Sequence, residues 1–145
     1  MSNRVILLVE DNANDEALAL RALKKANILN PVVVVHDGAE AIDYLHGKGQ
    51  FADRNVADTP QVVLLDLNLP KVGGHDVLRA IRADARTRLI PVVILTSSKQ
   101  ERDLIEGYDH GANGYVVKPV EFQQFSAAVA QLWRYWLLLN ERPPS

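Results

Sequence analysis

Five short apolar runs, none alternating with polar residues, most limit what this chain can fold into. They occupy residues 5–9 (VILLV), 32–35 (VVVV), 62–65 (VVLL), 92–95 (VVIL) and 115–117 (YVV). A strand with one wet face alternates; an unbroken apolar run belongs to a strand covered on both faces, as in a parallel sheet. Helical spacing fills the gaps, at about residues 15–25, 39–46, 75–83 and 100–109, with a last segment from about 122 to 140. In the first segment Ala17, Leu18, Leu20, Ala22 and Leu23 supply an apolar face, and Asn12 or Asn14 suits its cap. Gly47 and Gly111 are natural stops for the second and fourth.

Strand and helix in alternation, joined by short connections, predict a doubly wound α/β domain with helices on both faces of the sheet. The chain of 145 residues suits one such domain, spanning 1–145 with an extended C-terminal helix and tail from about 121. The polar stretch 47–61 reads as a loop, and its "GKG" lacks the spacing of a phosphate-binding loop.

Composition narrows the chemistry. There is no cysteine, which excludes disulfides, thiol catalysis and thiolate-bound metals. Net charge is −2 with no basic run, so no nucleic-acid partner is expected. The N-terminal "MSNRVILLVEDN" lacks the pattern of a secretory signal, and no stretch is long and apolar enough to span a bilayer. A cytoplasmic protein without a membrane partner is the expectation.

The residues that end the runs carry the chemistry. The first run ends in Glu10 and Asp11, the third in Asp66, the fourth in Thr96 and the fifth in Lys118. In open α/β sheets, ligands bind beyond the carboxyl ends of the strands. Three carboxylates, a hydroxyl and an amine therefore gather at one edge. Two carboxylates about 4 Å apart repel by about 4 kcal/mol at an effective dielectric near 20, so the cluster calls for a neutralising cation. Oxygen donors without thiolates or paired histidines favour magnesium over zinc. Asp66, flanked by Lys118 and Thr96, then suits attack on an incoming phosphorus. Taken singly, each element reads as a helix cap or a turn; their joint placement argues for a site. The four histidines, His36, His46, His75 and His110, show no ligand spacing and read as solvated surface.

The motifs "ILLVEDN", "VVLLDLNLPKVGG", "VVILTSS" and "GANGYVVKP", in this order, resemble the receiver domain of two-component response regulators. That resemblance implies a flavodoxin-like sheet in the order 2-1-3-4-5 with five helices around it. It implies Asp66 as phosphoacceptor, Glu10 and Asp11 as the acidic pair at Mg2+, and the backbone carbonyl of Asn68 as a further ligand. Thr96 and Lys118 match the switch hydroxyl and the phosphate-binding lysine, Tyr115 the switch aromatic, and Pro119 the proline that orients the lysine through a cis bond. The implied function is to accept a phosphoryl group from a sensor histidine kinase and to signal by a changed protein-binding surface, without turning over an external substrate.

The residues after Lys118 are enough for one helix and a tail, so the output is expected to be a protein contact. Trp133, Tyr135, Trp136, Leu137, Leu138 and Leu139 put apolar surface around several sides of that helix, which predicts a homodimer interface. The polar segment 47–61 and the apolar ending also resemble receiver-only regulators paired with bacterial phytochrome kinases. Alternatives are a phosphorelay shuttle to a histidine phosphotransfer partner, a degenerate receiver that binds partners without phosphate, and a Mg-dependent phosphatase. Against the phosphatase, Asn68 stands where such enzymes carry a second acid.

Overall fold

The computed structural model describes residues 4–69, 72–97, 111–118, 123–124 and 126–127. The expected fourth helix, Ser98, His110, Pro119 and the tail residues Trp133, Tyr135, Trp136, Leu137, Leu138 and Leu139 lie outside them. The elements run β1 (Ile6–Val9), α1 (Ala13–Lys25), β2 (Val32–Val35), α2 (Gly38–His46), β3 (Val62–Asp66), α3 (Gly74–Ala83), β4 (Val92–Thr96) and β5 (Gly114–Val117). All five strands are parallel, in the order β2-β1-β3-β4-β5.

Successive strand side chains point to opposite faces, and each face finds its own cover. On one face Leu7, Val9, Val63, Leu65 and Ile94 pack with Tyr44 and Leu45 of α2 and Val77, Leu78 and Ile81 of α3. On the other, Ile6, Leu8, Leu64, Val93 and Leu95 pack with Ala19, Ala22 and Leu23 of α1. Two dry faces explain why the strand sequences do not alternate.

Local signals set the helix ends. The Asn12 side chain accepts a hydrogen bond from the Asp15 backbone N–H, and the Asp37 side chain does the same for Glu40. Each satisfies a donor that the first turn leaves unpaired. Gly47 ends α2 at φ 64°, the left-handed conformation that glycine adopts without a Cβ penalty. Within the 47–61 loop, Gly49–Phe51 forms a single 3-10 turn. No helix among the described residues is long and apolar enough to cross a membrane.

Asp66 is the last residue of β3, paired in register with Leu95, as expected for the residue that ends the third run. One expectation needs correction. His46 is not a solvated surface group: its side chain is 21% exposed and its Nε2 lies 3.3 Å from Asp84 Oδ2, tying the end of α2 to the end of α3.

Candidate functional site

Register brings the site together. Val9 pairs with Leu65, so Glu10 and Asp66 are the next residues on adjacent strands. Thr96 pairs with Val117 on β5, and the Lys118 N–H extends that ladder by donating to the Thr96 carbonyl at 2.7 Å. Residues far apart in the chain therefore meet at one sheet edge.

Glu10 is wholly buried, Thr96 is 1% exposed and Asp66 2%, while Asp11 faces solvent. Carboxylate oxygens of Glu10, Asp11 and Asp66 lie within 4.8 Å of one another. Lys118 Nζ stands among carboxylates, 2.7 Å from Glu10 Oε1, 3.1 Å from Asp66 Oδ2 and 3.1 Å from Asp15 Oδ2. Asp66 Oδ1 accepts the backbone N–H of Asn68 at 3.0 Å, and Glu10 Oε2 accepts that of Asn12 at 3.2 Å. The Asn68 side chain donates to Ser97 Oγ.

Behind the acid, α3 presses against the strand. A Cβ on Gly74 would lie 2.5 Å from the Asp66 carbonyl oxygen and 2.5 Å from the Leu67 Cα. Only glycine permits that approach, which fixes the backbone from which Asp66 projects.

Electrostatics here are strained. Burial pushes the Glu10 carboxyl up to about 7; Lys118 opposes the rise, and neighbouring Asp66 adds to it. For Lys118, burial works against the ammonium, yet its close pairing with the carboxylates of Glu10, Asp66 and Asp15 outweighs it and raises the pKa above the usual lysine value. The charge on this lysine is therefore secure.

A hard divalent cation fits these residues. Glu10 Oε1 is buried without a well-aligned hydrogen-bond donor, although Lys118 stands close by. The donor set is all oxygen and carries more negative charge than one ammonium neutralises, which is the chemistry of Mg2+ or Mn2+.

The structure thus unites the predicted Glu10, Asp11, Asp66, Thr96 and Lys118, with Asn68 at the rim. Tyr115 stands apart on the edge strand β5, 39% exposed. Asp15 is the residue that sequence reasoning missed. Its only signal was its place in the first turn of α1, which reads as helix capping.

The family profile of the response regulator receiver domain matches residues 6–130. Among curated proteins, the probable methanogenesis regulatory protein FilR2 of Methanothrix harundinacea is 39% identical over 139 residues, covering 96% of this chain and 87% of that protein. The solved structure of the bacteriophytochrome response regulator RtBRR superposes with a TM-score of 0.85 at 52% identity, covering 97% of this chain and 84% of that one. Response regulator Rcp1 of Synechocystis is 35% identical over 134 residues, covering 92% of this chain and 89% of that protein. The Mn(2+)-bound crystal form of Rcp1 aligns with a TM-score of 0.76 at 34% identity over 98% of this chain and 99% of that one.

Proposed function

The chain belongs to the response regulator receiver domain family of two-component signalling, and from that premise we propose that Asp66 takes a phosphoryl group from the histidine of a sensor kinase. The observation that carries this reading is a nearly buried carboxylate held between two other acids and an ammonium 3.1 Å away. One Asp66 oxygen forms the new O–P bond as the P–N bond to the donor imidazole breaks, and the imidazole nitrogen keeps the electron pair.

Glu10, Asp11, Asp66 and the Asn68 carbonyl are the groups that would hold the cation. Bound there, Mg2+ supplies positive charge for the phosphoryl oxygens and offsets the crowded carboxylates. Lys118 pairs with one phosphoryl oxygen, and the Thr96 hydroxyl donates a hydrogen bond to another. That pull on Thr96 opens room next to it, into which Tyr115 turns from its half-exposed position on β5. The altered β5 face, together with the apolar tail that includes Trp133 and Trp136, is the surface read by a partner and by a second copy of the chain.

The donor kinase we propose is of the bacteriophytochrome type, on the strength of the likeness to RtBRR. A transfer assay against a panel of sensor kinases tests that assignment; preferred transfer from a kinase of another class rejects it. For the acceptor, incubation with a small phosphoryl donor and Mg2+ should add one phosphoryl mass to the wild type and none to Asp66→Asn. Wild-type protein that binds Mg2+ and gains no mass would instead be a partner-binding module that works without phosphate.

A further inference from the structure

Lys118 has three N–H donors on a flexible stem, and three carboxylates surround it. Two of them, Glu10 and Asp66, belong to the acidic cluster whose oxygens suit a cation. The third, Asp15, lies outside that cluster, on the first turn of α1, 103 residues away in the chain. Its Oδ2 accepts a hydrogen bond from Lys118 Nζ at 3.1 Å, and the contact is sheltered, with the lysine side chain 9% exposed and the aspartate 26%. Asp15 is itself anchored, because its backbone N–H is tied to the Asn12 cap.

The hold on the lysine depends on which oxygens remain available. Once Glu10 and Asp66 commit oxygens to a cation and to phosphorus, Asp15 is the carboxylate left to hold the ammonium. We propose that Asp15 is a positioning residue that tethers Lys118 to α1, so that its remaining donors meet the phosphoryl group in a fixed direction. The proposal rests on the acceptor reading above and deepens it. Without the tether, the stem has several rotamers to search and the ammonium is in place for a smaller fraction of encounters.

The test uses the full chain. In Asp15→Asn the rate constant for uptake from a small phosphoryl donor, at saturating Mg2+, should fall about tenfold, as for loss of a charge-assisted hydrogen bond. Mg2+ affinity should stay within about twofold, since Asp15 is not among the cation's oxygens. A proton–nitrogen spectrum tuned to lysine ammonium groups should show Lys118 in slow exchange in the Mg2+-loaded wild type and lost to fast exchange in Asp15→Asn.

A merely structural role through the helix dipole is separated by the double variant Asn14→Asp/Asp15→Asn, which keeps the first-turn charge and loses the contact. It should remain slow; recovery of the wild-type rate overturns the tether. So does an unchanged or faster rate in the single variant. The ammonium spectrum with Mg2+ alone needs no phosphoryl transfer, so it decides on Asp15 even if wild-type protein takes up no phosphate, a result that would sink the acceptor reading separately.

Discussion

The two ends of the same sheet are built on opposite electrostatic rules. At the amino end, charges are matched: guanidinium groups meet carbonyl and amide acceptors, and Asp84 pairs with Arg86 and His46. Arg4 donates to the Thr59 carbonyl, the Thr59 hydroxyl and the Pro60 carbonyl, and Asn30 bridges the Arg4 carbonyl to Gln61. Arg82, on the last turn of α3, donates to the carbonyls of Arg88, Ile90 and Gly111 and to the Asn113 side chain, locking the entries to β4 and β5. At the carboxyl end, Glu10, Asp15 and Asp66 crowd around one lysine, and Asp11 adds a further acid beside Glu10 and Asp66. The first arrangement lowers the free energy of the fold. The second gathers more negative charge than one ammonium offsets. The contacts that favour the fold and the candidate site thus lie at opposite ends of one sheet.

The largest effect should come from Asp66→Asn. Uptake of phosphate should vanish, while the metal-free protein at pH 8 should melt at a higher temperature than wild type. The asparagine still accepts the Asn68 N–H and takes one negative charge out of the crowd, a gain of about 1 kcal/mol. Differential scanning calorimetry checks this, and a lower melting temperature would break the contrast between the two edges.

Arg82→Ala should do the reverse. It strips several carbonyls of their donor and should cost about 2–3 kcal/mol in urea unfolding, because such groups are expensive to leave unpaired. The folded fraction should still accept phosphate at the wild-type rate. A variant as stable as the parent would mean that the amino edge does not carry the fold.

Much of this contrast is visible in the sequence, and what is hidden has a physical reason. A strand such as "VVLLD" announces its ending because an ionisable residue there breaks an apolar run. The order of the strands came from the family resemblance and matches the sheet; apolar runs of similar length carry no label for their neighbours. Asp15 escaped because an acid in the first turn of a helix is ordinary, and only the β5 register brings Lys118 to it. His46 escaped for a similar reason: its partner Asp84 lies at the end of another helix, and no local pattern joins them. Arg82 reads as one more polar residue on α3, although its guanidinium organises two strand entries.

Acidity offers a subtler way to sharpen the comparison. The Glu10 carboxyl is raised above its ordinary value to about 7, so the native state binds a proton more readily than the unfolded chain. Between about pH 4.5 and 7 the native state holds the excess proton, and stability of the metal-free protein should fall as pH rises through that window. Cation binding runs the other way, because it requires the ionised carboxylate. Mg2+ affinity should weaken about tenfold from pH 8 to pH 6, read by calorimetric titration in two buffers of different ionisation enthalpy. Glu10→Gln should flatten both trends; pH dependence that survives it would place the titrating group elsewhere.

The smallest effect should come from the bare leucines on the amino edge. Leu29 is 91% exposed and Leu89 is 83% exposed, in the segments that lead into β2 and β4. If that edge owes its stability to guanidinium and amide hydrogen bonds, these side chains add almost nothing to it. Leu29→Gln and Leu89→Gln should each shift the unfolding free energy by no more than about 0.5 kcal/mol, with phosphate uptake unchanged. A loss of about 1.5 kcal/mol or more at Leu89 would mean that it is covered in solution, since exposed apolar atoms gain nothing from folding. The amino edge would then be an apolar contact surface, and its difference from the charged edge would be one of partners as well as of electrostatics.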